Sequence, residues 1–378
     1  MFQDSRLAPA ALLAGPRGRR MLLQFACQAE VAGGPDHAGP LSMAVADASY
    51  RLAKRAGKSI TRSTWGSPDG ATDPLAAQPS HVAALLAATR FVTPTAELLR
   101  SCLAASVDAA TYWEGPDGDD LLAAVPTVRD ALRPVAELIC ASPESDWLGD
   151  RISEGNQVGL RWLEAPTTHR QPAGQALRSW RADLVAEEQR AARDRPADPT
   201  APYSGTWWST PPHGLPVTCA PLFDQTPSGL WFVEDTLGWS RADALPVDTP
   251  ADAHVLEING ADDWAALCRA RPLAVTASRR HDWYRATGWT GSLVIPDWAG
   301  LACDYDAVHL SYAGYLAAAG VAIRVIDGTA SVIAGWNPGA TYWLVDKAEA
   351  GEPTRWHRDD DTGEPRWTSQ APDEARAE

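Results

Sequence analysis

The densest group of side chains that could do chemistry is a run of three arginines, a histidine, an aspartate and two aromatic residues: Arg279, Arg280, His281, Asp282, Trp283, Tyr284 and Arg285. The three guanidiniums could clamp a phosphate or a carboxylate, because each presents a planar fork of donors, and Tyr284 could add a stacking face. His281 beside Asp282 could move a proton, because an imidazole titrates near neutral pH. The alternative is a solvated helix start or loop in which Trp283 alone packs inward.

A second candidate is the segment at residues 203–214, which reads Tyr-Ser-Gly-Thr-Trp-Trp-Ser-Thr-Pro-Pro-His-Gly. Trp207 and Trp208 could hold a planar ring while the neighbouring Ser209 fixes the orientation of that ring. Large aromatic side chains also serve mainly as packing residues. The alternative is therefore that the paired tryptophans fill the core.

Carboxylates supply the third set of candidates. Glu234 ends a predicted strand, Leu230–Glu234, and a strand end is well placed to carry a catalytic acid into a cleft. Asp306 precedes His309 by three residues, which puts the two on opposite faces of a strand and predicts a hydrogen-bonded structural histidine. The sequence contains no P-loop, no GxGxxG after a strand, no HExxH and no GxSxG, and its His and Cys spacing indicates no metal site. No cofactor is therefore assigned.

The elements that must position these residues differ between the two halves of the chain. Up to about residue 165, apolar residues recur three and four apart, as in Leu98, Leu99 and Leu103, which predicts helices. A proline after Arg133 predicts that one helix ends and another begins there. Residues 175–195 predict a separate, strongly charged helix that lies on a surface or bridges two domains.

Strand patterns replace helical ones in the second half, where ten of the seventeen tryptophans fall between Tyr203 and Trp343. Further strands are predicted at residues 254–258, 292–295, 306–311, 321–326, 329–334 and 341–345. Asp327-Gly328 is typical of a type I′ hairpin turn. Short helices between strands and an antiparallel hairpin predict an α+β fold with a mixed sheet.

The predicted organisation has four parts: a helical domain at 1–165, a charged helix and linker at 166–202, a Trp-rich α+β domain at 203–346 and a disordered acidic tail at 347–378. The tail carries five basic and nine acidic side chains and little apolar surface beyond Trp356 and Trp367. The 378 residues, with 45% hydrophobic side chains, are enough for a sizeable core.

Charge and cysteine usage restrict the partners and the compartment. The formal net charge of −15 disfavours nucleic acids and anionic membranes as partners. Six cysteines without a CxxC pair are typical of reduced thiols in a cytoplasmic protein. No run of eighteen apolar residues occurs, and the apolar stretch after Arg19-Arg20 is interrupted by Gln24, so neither a membrane span nor a twin-arginine export signal is predicted.

Several longer motifs carry a resemblance: Ser204–Ser209, Val233–Trp239, Ser278–Tyr284, Pro296–Trp298, Tyr305–Leu310, Gly335–Pro338 and Gly15–Arg20. With them, most of the chain resembles a family of Trp-rich actinobacterial proteins, a resemblance that implies no established activity. A more limited resemblance is to ADP-ribosyltransferase-like domains, in which Ser209-Thr210 and Glu234 would match the Ser-Thr strand and the catalytic acid. The arginine or histidine strand that opens those domains is not found here.

Two functional hypotheses follow. In the first, the protein is an enzyme for an anionic, nucleotide-like or partly planar small molecule. Arg279, Arg280 and Arg285 bind the anion, His281 with Asp282 moves a proton, and Trp207 or Trp208 stacks. In the second, the protein is a non-catalytic module whose aromatic surface binds a partner protein. An enzyme requires the aromatic residues, His281 and Glu234 to converge on one pocket; a flat patch of tryptophans favours the module.

Overall fold

The computed structural model describes residues 7–30, 39–58, 78–152, 155–165, 171–234, 238–250, 252–347, 351–359 and 366–370. These residues form an α+β fold, as predicted. The helices before the strand-rich half are α1 (Pro9–Ala14), α2 (Pro16–Gln28), α3 (Pro40–Arg55), α4 (Pro79–Ala88), α5 (Ala96–Asp108), α6 (Gly118–Ala124), α7 (Pro126–Ala131), α8 (Arg133–Cys140) and α9 (Ala173–Asp194). The later helices are α10 (Ala261–Ala270), α11 (Thr276–Thr287), α12 (Trp298–Leu301) and α13 (Tyr312–Ala318).

Local sequence explains where the early helices begin and end. The Thr95 hydroxyl accepts a hydrogen bond from the backbone N–H of Leu98 and caps α5, and the Asp117 carboxylate caps α6 in the same way. α7 ends at Ala131 and α8 begins at Arg133, so the predicted helix break before Pro134 is confirmed. The charged helix predicted at 175–195 is also confirmed, as α9.

The strands are β1 (Gln157–Trp162), β2 (Val217–Cys219), β3 (Arg241–Val247), β4 (Val255–Ile258), β5 (Pro272–Ala274), β6 (Ser292–Pro296), β7 (Ala307–Leu310), β8 (Ile323–Ile326), β9 (Thr329–Ser331), β10 (Ala340–Trp343), β11 (Thr354–Asp359) and β12 (Arg366–Gln370). Eight of them form one sheet in the order β12-β11-β3-β1-β2-β10-β7-β4, and four form a second sheet in the order β5-β6-β9-β8. β4 with β7 and β6 with β9 are parallel, and the other pairs are antiparallel. Both sheets are therefore mixed.

Three local predictions are wrong. The stretch predicted as a strand at 230–234 begins instead as a turn, because the backbone N–H groups of Trp231 and Phe232 both donate to Ser228 at the start of a 3₁₀ helix. The hairpin at Asp327-Gly328 is present, but only Gly328 has a positive φ, and a bulge next to Ile326 replaces the type I′ geometry. β1 interrupts the first 165 residues, which were predicted to be helical.

The acidic tail was predicted to be disordered, yet two parts of it are the strands β11 and β12. β11 pairs with β3, and β12 pairs with β11 at the sheet edge. The side chain of Trp367 is buried against Leu230 and Ala242, and the Arg355 guanidinium donates to the buried Asp243 carboxylate at 2.9 Å. Backbone pairing and one tryptophan thus supply the stabilisation that composition alone did not indicate.

Residues from both predicted domains belong to one hydrophobic core. α1 and α2 pack against α13, and the backbone comes so close that a Cβ at Gly15 would lie 2.5 Å from the Leu316 carbonyl oxygen. Only glycine fits such an approach. The division of the chain into a helical and an α+β domain stays a prediction. None of the helices in the described ranges is long and apolar enough to cross a membrane.

Candidate functional site

A groove of about 770 Å³ runs between α9 and the segment at 203–214. One face of α9 forms its floor, because the lining residues of that helix follow each other at three- and four-residue spacing: Trp180, Asp183, Leu184, Glu187, Arg190, Ala191 and Asp194. Tyr203, Trp208 and His213 form the opposite wall, and Arg279 of α11 closes one side. Its volume lies in the range of small-molecule pockets.

Glu187 organises the charges of the groove. Its carboxylate accepts hydrogen bonds from Arg195 at 3.1 Å, from Arg279 at 3.3 Å and from the Thr206 hydroxyl at 2.9 Å. Burial raises the pKa of Glu187, but the Arg279 charge and these hydrogen bonds outweigh it and lower the pKa below its ordinary value. Glu187 is therefore ionised at neutral pH and neutralises part of the guanidinium charge.

Arg279 and Arg190 keep donors that the described residues do not satisfy. Arg279 is only 2% exposed, and its Nε atom is buried without a hydrogen bond in the described ranges. Burial lowers the pKa of Arg279. Arg190 is exposed on α9, where its one hydrogen bond among the described residues is a long contact of 3.5 Å to the Ala186 carbonyl. Acceptors brought by a ligand would meet both groups.

Asp282, predicted to assist proton transfer, is a buried anchor for the wall of the groove. Its two carboxylate oxygens accept from the Ser204 hydroxyl at 2.7 Å and from the Gly205 backbone N–H at 3.0 Å. Arg285 also donates to this carboxylate. The Asp282 side chain thus holds the segment at 203–206 against α11.

The other two arginines of the predicted clamp also bind the protein itself. Arg280 donates to the carbonyl of Ala197 at 3.0 Å, and Arg285 donates to the carbonyls of Trp113 at 2.9 Å and Tyr203 at 2.7 Å. Neither residue lines the groove. Of the three predicted anion-binding arginines, the structure places Arg279 in the groove wall and the other two outside it.

His281 lies behind that wall. Its ring is 1% exposed and packs on Tyr203 with ring centres 5.3 Å apart. Burial, with Arg280 next, lowers the pKa of His281. The neighbouring Tyr284 is half-buried and does not line the groove. The predicted proton-transfer pair is therefore separated from the groove by Tyr203.

The predicted aromatic pair divides between two environments. Trp208 lines the groove and contacts His213 edge to face, with ring centres 5.6 Å apart. Trp207 packs inward on Tyr112 and Trp113, with ring centres 5.9 Å and 4.9 Å away. Trp207 thus fits the packing alternative, whereas the ring-binding role of Trp208 stays a prediction.

Ser209 is fully buried, and its hydroxyl accepts from the backbone N–H of Ala334 at 3.0 Å. Neither Ser209-Thr210 nor Glu234 lies on a strand in this structure. The strands expected from the resemblance to ADP-ribosyltransferase-like domains are thus absent at these residues. His309, predicted to be structural, is buried, with its Nδ1 2.9 Å from the Thr341 hydroxyl.

Glu234 lies away from the groove, in a second polar cluster. Its Oε1 accepts hydrogen bonds from the hydroxyls of Tyr112 and Tyr315, both at 2.7 Å. Its backbone N–H donates to the Asn337 side chain at 2.9 Å. Burial raises the pKa of Glu234 to about 7, although both tyrosines and Arg17 favour the charged form.

The predicted residues therefore do not converge on one pocket. The structure brings Trp208 and Arg279 together in the groove and puts Glu234 in a separate cluster. Sequence reasoning missed Glu187 as the centre of the groove, although its place on the stripe with Trp180 and Leu184 was a usable signal. Tyr112 and Tyr315 gave no local signal, because they meet Glu234 only through the fold.

The described ranges hold no group of three or more His, Cys, Asp or Glu side chains arranged to bind a metal ion. No protein-family model, curated protein or solved structure compared with this chain matches it.

Proposed function

We propose that the protein binds, as ligand or substrate, a small molecule that joins a planar ring to an anionic group, and that the groove beside α9 is the site. The observation that carries this proposal is the buried guanidinium of Arg279, with an unsatisfied Nε, in the wall of an aromatic-lined groove of about 770 Å³. A buried donor without an acceptor is uncommon in folded proteins and calls for an explanation, such as a bound water, ion or ligand.

The aromatic lining supports the ring. Trp180 and Trp208 lie on opposite sides of the groove, on α9 and on the segment 203–214 respectively, and Tyr203 contributes a third ring. Such surfaces bind flat ligands by stacking and by excluding water.

The guanidiniums support the anionic group. The carboxylate of Glu187 is already engaged by Arg195, Arg279 and Thr206, so Arg190 keeps only its 3.5 Å contact to the Ala186 carbonyl in the described ranges. Asp183 and Asp194 are exposed at the rim, where water screens their charge. An anion between Arg190 and Arg279 would therefore find two donors and little nearby repulsion.

The competing hypothesis of a partner-binding aromatic surface has less support. Five tryptophans of the second half are fully buried: Trp264, Trp283, Trp298, Trp336 and Trp343. No tryptophan appears among the large exposed apolar side chains of the described residues. A flat patch of tryptophans, the feature that would favour a protein partner, is not formed there.

A thermal-shift screen against AMP, NAD, sugar phosphates and aromatic carboxylates tests the proposal. A ligand at about 100 times its dissociation constant should stabilise the protein by about 2.7 kcal/mol. We expect Trp208→Leu and Arg190→Gln each to weaken binding at least tenfold, because one removes a ring face and the other a charged donor.

Arg193→Gln is the matched control, since Arg193 lies on the same helix but does not line the groove. It should leave the shift unchanged. Binding that survives both groove substitutions, or a panel in which no compound binds, would count against the groove as the site. Conversion of a hit to product would then identify an enzyme.

A further inference from the structure

Glu234 contacts three separate parts of the chain. Tyr112 follows α5 in the helical half, Tyr315 belongs to α13, and Asn337 lies between β9 and β10. All three form hydrogen bonds with Glu234, two to its carboxylate and one to its backbone. The residue therefore holds the predicted helical region to the strand-rich region at one point.

The surroundings of the carboxyl group provide few charges that could stabilise ionisation. Glu234 is 8% exposed, and its Oε2 is buried without a hydrogen bond among the described residues. The facing groups are the phenols of Tyr112, Tyr315 and Tyr342 of β10, the guanidinium of Arg17 on α2 and the backbone N–H of Gly335. Arg17 forms an ion pair with Asp120 of α6 and donates to the Ser106 carbonyl, so Asp120 already neutralises most of its charge.

We propose that Glu234 is a proton-controlled latch: its neutral carboxyl group holds the Tyr112 segment against α13 and the Asn337 loop, and its ionisation loosens this junction. The neutral form places its proton on Oε2, because Oε1 already accepts two hydrogen bonds. Loss of that proton leaves a buried charge whose one facing cation among the described residues, Arg17, is already paired with Asp120. Opening of the junction then relieves the charge by admitting water.

A cavity lies beside the latch. Tyr112 and Arg17 line this space of about 260 Å³ together with residues of α6 and of the segment after Gly320, whereas Glu234 itself does not line it.

Urea unfolding at pH 5 and pH 8 tests the latch, with Glu234→Gln as the neutral mimic and Glu137→Gln, an exposed carboxylate, as control. A folded pKa of about 7 against an unfolded value of 4.5 means that the native state holds the extra proton between these values. Relative to Glu234→Gln, the folding constant of the wild type should therefore fall about 50- to 100-fold from pH 5 to pH 8. Glu137→Gln should behave as the wild type.

Hydrogen exchange separates a latch from a merely pH-sensitive residue. After correction for intrinsic rates, amides around Tyr112 and Asn337 should exchange faster at pH 8 than at pH 6 in the wild type but not in Glu234→Gln. Equal pH dependence in both proteins overturns the proposal.

Tyr315→Phe keeps the test decisive if Glu234→Gln fails to fold. Loss of that donor disfavours the ionised carboxyl group, so the midpoint of the pH transition should move upward. A midpoint that stays in place in both Tyr315→Phe and Tyr112→Phe also overturns the proposal.

Discussion

Glu187 and Glu234 lie at the centres of two polar clusters, and their surroundings shift the two pKa values in opposite directions. Glu187 faces two guanidiniums in a groove open to water, and its pKa is lowered. Glu234 faces two phenols in the interior, and its pKa is raised to about 7. Two hydrogen bonds from phenols do not offset the burial of Glu234, whereas direct contact with Arg195 and Arg279 offsets the burial of Glu187.

This contrast also separates two kinds of function. The groove has solvent access, aromatic walls and donors that its own residues leave unsatisfied, which are the properties of a ligand site. Glu234 is 8% exposed and contacts distant parts of the chain, which suits its cluster to control of the fold. Substitutions that act on only one cluster can therefore test the comparison.

The largest effect is expected from Arg17→Met in the interior cluster. The substitution leaves Asp120 and the Ser106 carbonyl without their buried donor and removes the cation nearest to Glu234. We expect a loss of about 3–5 kcal/mol in the free energy of unfolding, measured by urea denaturation at pH 7. The pH midpoint assigned to Glu234 should also rise.

The double variant Arg17→Met/Asp120→Leu is the control for this prediction. It removes both members of the buried pair, so it should recover part of the lost stability. A single variant that loses less than about 1 kcal/mol would mean that Arg17 contributes little to the interior cluster.

The contacts of Arg17 illustrate why sequence patterns reached only part of the structure. The helix break before Pro134 depends on neighbouring residues, so a local rule predicted it. The partners of Glu234 are more than 80 positions away along the chain, and no spacing rule brings them together. The α+β class followed from many local patterns, whereas the site depended on a few long-range contacts.

The predicted run at residues 279–285 shows the same limit. Its residue types suggested a clamp, but helix α11 turns successive side chains to different faces. Arg279 reaches the groove, while Asp282 and Arg285 bind the segments at 203–205 and Trp113. A cluster in sequence thus became separate contacts in space.

The groove cluster should give a smaller effect with the opposite pH dependence. Glu187→Gln leaves the buried Arg279 without its carboxylate, and we expect a loss of about 2–3 kcal/mol at pH 7, less than for a fully buried pair because water reaches Glu187. The folded pKa of Glu187 lies below its unfolded value of 4.5, so its contribution is present above 4.5 and disappears as the pH falls.

Unfolding measured at pH 7 and in acid, with the exposed Glu137→Gln as control, checks this sign. The difference in the free energy of unfolding between wild type and Glu187→Gln should narrow below pH 4.5, while the difference caused by Glu234→Gln should change mainly between pH 4.5 and about 7. If the difference in the free energy of unfolding between wild type and Glu187→Gln is the same at both pH values, the pKa of Glu187 is not lowered by folding and the comparison with Glu234 fails.

The smallest effect is expected from His281→Leu. His281 packs on Tyr203 behind the groove wall. At pH 7.5 the imidazole is buried and neutral, and its Nε2 has no hydrogen bond in the described ranges, so an apolar side chain of similar size should change stability by less than about 1 kcal/mol. Burial and Arg280 lower the folded pKa below the ordinary value of 6.5, so the unfolded chain binds the proton first.

Relative to His281→Leu, the wild type should therefore lose stability as the pH falls below about 6.5. Unfolding of both proteins measured at pH 7.5 and pH 5.5 gives this difference. The two proteins are compared with each other because Glu234 is protonated over the same range and stabilises the fold of both. If the difference is the same at both pH values, the charged imidazole is accommodated beside Asp282, which would return His281 to the candidates for proton transfer.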